Sequence, residues 1–226
     1  MFRILLLAAL AFGASSTAAA QDATVYIGHG INGTDLVLDE NLPVDVKVNG
    51  AVLLSGFEFR TFTEALSLAA GPYNIQIGVA DPINPGSQPA LIDVNVDLVA
   101  SENVTILAHL DEFGGLTASK FINETDPVDG LNGRLSAAHT AAAPAVDVRL
   151  KELQSRRAGQ LSGVTNGLQG AGVFRPVVFG LDLVAAGTTT QVLGPVYLPV
   201  LPGSRTAIYV VGSLANDTLE PLVLNY

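Results

Sequence analysis

Short runs of alternating apolar and polar residues fill most of the chain after residue 20. Valine occupies every second position of residues 44–48, and apolar residues alternate with polar ones in the same way over residues 92–98. Such alternation is typical of strands with one buried face, and Gly- and Pro-containing turns separate the runs. No segment keeps a convincing period of 3.6 residues; residues 148–161 come closest and predict one helical turn. The pattern predicts an all-β fold built from sandwiches.

A second pattern is a repeat that spans the chain after residue 20. The segment around Asp45 returns around Asp147, 102 residues later, and residues 96–110 return at the same offset as residues 198–212. Equal offsets at both ends of a unit indicate duplication of a domain rather than of a short motif. We therefore predict two tandem Ig-like antiparallel β-sandwich domains.

The predicted division follows from a polar, glycine-containing segment at the point where the repeat restarts. Residues 68–74 also resemble residues 169–175, but less closely and with an offset that differs by one position. Two units of about 100 residues have the usual size of a domain, so each can bury a core of its own. The predicted parts are a signal peptide (1–20), a first β-sandwich (21–125), a linker (126–133) and a second β-sandwich (134–226).

The two copies differ most in a loop of the first. His29 precedes Asp45 by 16 positions, whereas His139 precedes Asp147 by 8. The additional residues lie in an insertion at 30–42. Loops accept new functions without unfolding the scaffold, so the insertion is a candidate binding element.

The first 20 residues have the pattern of a secretory signal peptide. Arg3 precedes an apolar stretch, and Ala18-Ala19-Ala20 offers a cleavage site. No later apolar run reaches the roughly 18 residues that a membrane span requires, so we expect no span after signal cleavage. The chain contains no cysteine, which excludes disulfides and thiolate metal sites. The expected location is extracytoplasmic, either periplasmic or extracellular.

The charge balance bears on the partners. The formal net charge is -10, with 21 acidic residues against 11 basic ones. Because an acidic surface repels phosphates, we expect no nucleic-acid partner. The remaining partner classes are an envelope or extracellular protein, or a polysaccharide.

Three segments resemble a known family. These are "HTAAAPAVDVRLKE" (139–152), "LSLAAGPYNIQI" (66–77) and "VDLVASENVTILAHL" (96–110). They are similar to signatures of the secreted bacterial and archaeal family called domain of unknown function 4397, here in two tandem copies. The resemblance implies an extracytoplasmic β-sandwich. The family carries no established activity, so it implies no catalytic residue.

Repeated His and Asp residues are the first candidates for chemistry. We predict that His29 and His139 end a strand and bond to the backbone, with metal ligation or base catalysis as the alternative. Asp45 and Asp147 are expected to accept hydrogen bonds from an adjacent loop, although a carboxylate beside a His also suits a hydrolase. We expect His109 to be partly buried rather than to act as a ligand, because its counterpart in the second copy is Val211.

Two acidic, glycine-containing loops are candidates for calcium. Carboxylate and amide oxygens at short spacing are the ligands that calcium prefers, although neither loop matches an EF-hand. Solvated turns are the competing interpretation, and no other cofactor is expected. The calcium candidates are Asp35, Asp39 and Glu40 in the insertion, and Asp126, Asp129 and Asn132 at the linker.

These observations favour a secreted or periplasmic, non-enzymatic binding or structural module of the cell envelope or surface. No nucleophile motif accompanies the His and Asp residues, so no catalytic residue is assigned. Two alternatives stay open at this point. One is a hydrolase that uses the His/Asp pairs, and the other is a small outer-membrane β-barrel, because the chain ends in "PLVLNY" (221–226).

Overall fold

The computed structural model describes residues 21–155 and 157–226, so the predicted signal peptide lies outside the described residues. The first half contains a short 3-10 helix (Gly33–Leu36) and nine strands: β1 (Ala23–His29), β2 (Val44–Val48), β3 (Ala51–Phe57), β4 (Thr61–Phe62), β5 (Leu66–Leu68), β6 (Gly71–Val79), β7 (Ile92–Leu98), β8 (Asn103–Leu110) and β9 (Leu116–Ile122). The second half contains β10 (Gly133–His139), β11 (Val146–Glu152), β12 (Ala158–Val164), β13 (Gln169–Phe174), β14 (Val178–Ala185), β15 (Gln191–Pro199), β16 (Arg205–Val211) and β17 (Glu220–Asn225). No helix of the described residues is long and apolar enough to span a membrane.

The strands form two β-sandwiches with matching topology. In the first sandwich β4 and β5 both pair with β1, giving one sheet of order β4/β5-β1-β8-β9 and a second of order β3-β2-β6-β7. The second sandwich repeats this plan as β13-β10-β16-β17 and β12-β11-β14-β15. The predicted all-β sandwich fold is confirmed, and the equal strand orders agree with a duplicated unit. The Ig-like subtype stays a prediction.

One strand pair in each sandwich is parallel, which the alternation of residues does not reveal. β1 lies parallel to β8, and β10 lies parallel to β16. A parallel pair requires a long crossover between its strands, and here the whole second sheet provides it. The first strand of each sandwich therefore lies between an antiparallel neighbour and a parallel one.

The strand register tests the repeat. His29 pairs with Ala108 and His139 pairs with Val210, so the repeat of residues 96–110 at 198–212 is in the correct register. Tyr73 pairs with Val96 and Phe179 pairs with Leu198, which makes Phe179 the counterpart of Tyr73. The predicted correspondence of residues 68–74 to residues 169–175 is therefore wrong. Residues 169–174 form β13, which is the counterpart of β4 and β5.

The helical turn predicted within residues 148–161 is also wrong. The segment forms the hairpin of β11 and β12, in which Val148 pairs with Leu161. β11 also pairs along its length with β14 and buries Val146 and Val148. Tertiary pairing of a strand with buried valines outweighs a weak helical period.

Three apolar cores hold the molecule together. One lies between the sheets of the first sandwich around Val25, Val46 and Ile106, and another lies in the second sandwich around Leu181 and Ile208. The third lies between the two sandwiches. It joins Phe59, Leu107 and Phe121 of the first to Ala138, Ala207, Tyr209, Val211, Leu222 and Leu224 of the second. The sheets β1-β8-β9 and β10-β16-β17 thus pack face to face.

Candidate functional site

Three loops meet at one end of the first sandwich. β1 and β8 run parallel, so the insertion after His29 and the β8–β9 turn after Leu110 leave the sheet at the same end. In the other sheet Val44 pairs with Val79, which brings the β6–β7 loop to the place where the insertion ends. Leu36 of the insertion, Leu91 of the β6–β7 loop and Leu116 at the start of β9 line a common apolar recess.

The insertion is ordered by its own polar residues. The side chain of Asn32 accepts hydrogen bonds from the backbone N–H (2.9 Å) and the hydroxyl (2.7 Å) of Thr34, and so caps the 3-10 helix. Val37 ends the helix in the left-handed conformation, with φ of 59°, and its side chain is 94% exposed. A β-branched residue is strained at positive φ, and here it gains no buried contact in return.

The insertion also bonds to the second sandwich. Asp35 Oδ1 accepts hydrogen bonds from Asn216 Nδ2 (2.9 Å) and Thr218 Oγ1 (2.7 Å). Nearby, the guanidinium of Arg60 forms ion pairs with Glu40 of the insertion (2.8 Å) and Glu220 of β17 (2.9 Å). The insertion is therefore fixed from both sides rather than projecting freely.

The β6–β7 loop is held by two carboxylates. Asp45 accepts hydrogen bonds from the N–H groups of Asp81 (3.2 Å) and Gly86 (2.7 Å) in this loop. Asp81 in turn accepts from the N–H groups of Ile83 (2.9 Å) and Asn84 (3.0 Å). The side chain of Ile83, at the tip of this braced loop, is 84% exposed.

The β8–β9 turn follows the same plan. Asp111 Oδ1 accepts hydrogen bonds from the N–H groups of Phe113 and Gly115, each at 2.8 Å. Between them Gly114 adopts a φ of 86°, which the turn requires and glycine tolerates. The ring of Phe113 is left 91% exposed.

We name Val37, Leu38, Ile83 and Phe113 the loop-tip surface. Its members are large apolar side chains that sit on ordered loops at one end of the sandwich. Sequence reasoning proposed the insertion as a binding element but missed Ile83 and Phe113. The available signal was an apolar residue two positions after an Asp in a turn, as in Asp81-x-Ile83 and Asp111-x-Phe113.

The repeated His residues lie where the sequence predicts, at the ends of β1 and β10. His29 Nε2 lies 2.9 Å from the carbonyl oxygen of Leu42, and its Nδ1 accepts from the N–H of Ile31 (3.3 Å). His139 Nε2 lies 3.1 Å from the carbonyl oxygen of Pro144 in the second copy. Each His thus ties the strand end to the segment that leads into the next strand, and the predicted bonding to backbone is confirmed.

The repeated Asp residues bond to backbone N–H groups, as predicted. Besides its two bonds to the β6–β7 loop, Asp45 accepts from Gly56 (3.0 Å), and Asp147 accepts from Gly163 (2.8 Å) and Gly187 (3.2 Å). Burial alone would raise the pKa of Asp45, but the N–H donors, with that of Gly86 first, lower it from its ordinary value of 3.8. Within the described residues, neither Asp is hydrogen-bonded to the His of its own copy.

His109 lies in β8 and is buried more completely than the sequence predicts. It is 1% exposed, its Nδ1 lies 2.8 Å from the carbonyl oxygen of Leu110, and its Nε2 lies 2.9 Å from Ser119 Oγ. Burial lowers the pKa of His109 from 6.5, and burial likewise lowers the pKa values of His29 and His139. All three rings are therefore neutral at neutral pH.

The calcium candidates of the insertion are largely engaged by protein groups. Asp35 and Glu40 make the contacts with the second sandwich and with Arg60 described above, although Asp35 Oδ2 is buried without a partner among the described residues. Asp39 Oδ1 accepts from the N–H of Asn41 at 3.1 Å, which is ordinary turn chemistry.

The candidates at the linker form a turn of their own. Asp129 accepts hydrogen bonds from the N–H of Leu131 (3.2 Å) and from Asn132 Nδ2 (3.0 Å), while Asp126 is exposed. Among residues 21–155 and 157–226, no group of three or more His, Cys, Asp or Glu side chains is arranged to hold a metal ion. The structure therefore does not bring the six candidates together.

The fold and these sites define a class of protein, namely tandem β-sandwiches whose strand ends are tied by buried His and Asp residues. The chain belongs to the family described as "Domain of unknown function (DUF4397)", whose model matches residues 23–149, more than half of the chain. The match continues past the first sandwich into β11. The family assignment expected from the sequence is confirmed.

Other comparisons add little. Among curated proteins no match is found. A leucine-rich repeat protein from Bacteroides thetaiotaomicron is 12% identical with a TM-score of 0.23, and the match covers 85% of this chain and 26% of that one. The TIE protein of Bacillus anthracis is 10% identical with a TM-score of 0.25, and the match covers 85% of this chain and 33% of that one. The chain thus spans between a quarter and a third of the length of these two proteins.

Proposed function

We propose that this protein is a non-enzymatic, extracytoplasmic binding module that docks a protein partner through its loop-tip surface. One observation carries the proposal. Val37, Ile83 and Phe113 project from three separate loops at the same end of one sandwich, and each is more than four-fifths exposed. Large apolar anchors that enter pockets of a partner supply most of the energy of a typical protein interface.

The order of the loops supports this role. Asn32, Asp81 and Asp111 each fix the loop that carries an exposed apolar side chain. A binding loop that is already ordered loses less conformational entropy when it binds. Holding a solvent-exposed apolar side chain in place has no evident benefit for stability, so the order is better explained by recognition.

Strain at Val37 is a second support. Its φ of 59° suits Gly or Asn, and the exposed side chain receives no packing that offsets the strain. Backbone strain that no stabilising contact offsets is characteristic of functional positions. We infer that the valine side chain is retained for its contact with the partner.

The surroundings of the surface define the partner further. Asp39, two residues after Val37, and Glu112, next to Phe113 in the chain, are both exposed, and the chain as a whole is acidic. Complementary charge speeds association and excludes wrong partners. The expected partner is an envelope or extracellular protein with apolar pockets rimmed by Lys or Arg.

The proposed location rests on the predicted signal peptide. The non-enzymatic role rests on the engagement of the His and Asp side chains with backbone groups. A hydrolase would need these groups free to meet a substrate. We propose instead that they brace the loops on which the binding residues sit.

The test is comparative cross-linking in the producing cells. A photoreactive residue at position 113 is expected to capture one protein reproducibly, and a matched probe at Leu201, which is 60% exposed on the second sandwich, is expected not to capture it. Val37→Asn separates binding from folding, because it relieves the strain and should keep or raise the melting temperature while weakening capture. Equal capture from both probe positions, or unchanged capture by Val37→Asn combined with Ile83→Ser, would refute the proposal.

A further inference from the structure

The two sandwiches differ in how completely their cores are filled at equivalent positions. His29 and His139 fix the register, which makes Ala137 the counterpart of Ile27 two positions earlier. Leu66 pairs with Val25 in the first sandwich and Gly172 pairs with Leu135 in the second, so Gly172 is the counterpart of Leu66. The second sandwich has three fewer side-chain carbons at the first position and four fewer at the other.

A cleft remains where Ala137 replaces Ile27. At Gly172 the space is partly taken, because a Cβ there would lie 2.9 Å from the ring of Phe174. Ile27 and Leu66 pack into the core of the first sandwich. In the second sandwich a cavity of about 240 Å³ opens between the edge strands β12 and β13, and we name it the β12–β13 cleft. Aliphatic and aromatic side chains form most of its walls, and none of its lining residues is charged: Leu135, Ala137, Leu150, Leu161, Phe174 and Leu181 are the main ones.

The cleft continues into a second recess with a different character. A recess of about 180 Å³ shares Leu150, Gly159 and Phe174 with the cleft and adds Glu152 and Arg157. Apolar walls therefore lead to a mouth that carries two charged side chains.

The charges at this mouth do not cancel. Glu152 is held by the guanidinium of Arg175 and by the hydroxyl of Ser155. These bonds, that of Arg175 first, lower the pKa of Glu152 to about 2, so the carboxylate stays ionised and engaged. In the part of the chain that the structure describes, Arg157 forms no ion pair. Glu152, Arg175 and Arg157 together leave one positive charge at the mouth of an otherwise acidic protein.

We propose that the β12–β13 cleft binds a single-chain alkyl carboxylate, with the alkyl chain in the cleft and the carboxylate at Arg157. The first sandwich shows what the space accepts, because the aliphatic side chain of Ile27 occupies the position equivalent to Ala137 there. Burying an alkyl chain in this apolar space is favourable by the hydrophobic effect. Arg157 supplies the charge that distinguishes a carboxylate from a neutral amphiphile.

The test uses decanoate as the probe and isothermal titration calorimetry on the mature full-length chain below the critical micelle concentration. Saturable one-to-one binding is expected. Decanol should bind more weakly because it lacks the charge, and butyrate should not bind measurably because it lacks the tail. Ala137→Ile, which restores the residue of the first sandwich, should weaken decanoate binding about tenfold or more because it fills the cleft.

Two charge variants test the mouth. Arg157→Gln should weaken decanoate binding about threefold to tenfold and leave decanol binding unchanged. Lys151→Gln removes the same charge from β11 on a residue that lines neither recess, and it should leave decanoate binding unchanged. Melting temperatures show whether each variant is folded, and Ala137→Val replaces Ala137→Ile if the larger side chain unfolds the sandwich.

The proposal is overturned if decanoate shows no saturable binding, or if a folded Ala137→Ile or Ala137→Val variant binds it as tightly as the parent. Equal affinities for decanoate and decanol, or equal effects of Arg157→Gln and Lys151→Gln, would overturn the assignment of a carboxylate to the mouth. None of these outcomes depends on the loop-tip surface, which belongs to the other sandwich.

Discussion

The ring of Phe121 in the first sandwich lies 5.4 Å from the ring of Tyr209 in the second, with their planes inclined at 59°. The ring of Phe62, also in the first sandwich, lies 5.8 Å from that of Tyr209. Phe121 is 2% exposed and Tyr209 is wholly buried, so the contact belongs to a core rather than to a surface patch. Aromatic pairs with this spacing and tilt stabilise beyond their buried area. The two sandwiches therefore share a core, and we expect them to unfold together.

Truncating the shared core tests this directly. Tyr209→Ala should lower the free energy of unfolding by about 3–5 kcal/mol, because a fully buried aromatic ring is replaced by a cavity. Tyr197→Ala is the matched control; Tyr197 is 60% exposed and its loss should cost about 0.5 kcal/mol or less. Urea denaturation of the parent should show one transition. Two separate transitions in the parent, or equal losses in the two variants, would mean that the sandwiches are independent.

Asp45 accepts hydrogen bonds from three backbone N–H groups, one in β3 and two in the β6–β7 loop, and its truncation has a predictable cost. Asp45→Ala should lower the free energy of unfolding by about 2–4 kcal/mol, since the donors of Gly56, Asp81 and Gly86 lose a charged acceptor. Asp97→Ala, at an exposed position of β7, should cost about 0.5 kcal/mol or less. Urea denaturation measures both variants. A loss for Asp45→Ala no larger than that of the control would show that the carboxylate does not brace the loop.

The features that can be predicted from the sequence are those determined by residues close together in the chain. The alternation around Asp45 identifies a strand, and its recurrence around Asp147 identifies the equivalent strand in a second copy of the fold. The pairing of strands that are distant in the chain is not determined by local residue patterns. Nothing in residues 23–29 shows that β1 lies beside β8 in the parallel sense, and nothing near Tyr209 shows that its partner is Phe121. The loop-tip surface was missed for the same reason, because only the register of the two sheets places the loops of Ile83 and Phe113 at the same end as the insertion.

Asp35 illustrates how the structure changes the interpretation of a calcium candidate. Its bonds to Asn216 and Thr218 attach the insertion to residues 213–219 of the second sandwich. Asp35→Ala should therefore speed amide hydrogen exchange in residues 213–219 severalfold, because that loop loses its contact with the insertion. Asp39→Ala is the control and should leave exchange there unchanged. Protection that is unaffected by Asp35→Ala would show that the contact does not hold the loop.

Calcium is tested separately by its effect on melting. A ligand that binds only the folded state raises the melting temperature. Because the candidate carboxylates of the insertion and the linker do not converge, we expect millimolar calcium to leave the melting temperature where the same concentration of magnesium leaves it. A rise specific to calcium that Asp35→Asn removes would instead place a site at the insertion.

The three buried histidines predict a dependence of stability on pH. Burial lowers the pKa values of His29, His109 and His139 below 6.5, so in mildly acidic solution the unfolded chain binds protons that the folded chain does not. The free energy of unfolding is then highest above pH 6.5, and it falls as the pH decreases from there towards the lowered values. The slope is about 1.4 kcal/mol per pH unit for each histidine protonated only in the unfolded state.

Urea denaturation between pH 7.5 and 5.5 measures this slope, and His109→Gln should reduce it by removing one of the three contributions. Asp45 and Glu152 do not contribute to the slope in this range. Their pKa values are lowered, so their contributions to the free energy of unfolding are lost only at more acidic pH, below about 4.5. Stability that stays constant over this range would show that the histidines protonate as easily in the folded protein as in the unfolded chain. The bonds of His29 and His139 to backbone would then be open to solvent, contrary to their burial in the structure.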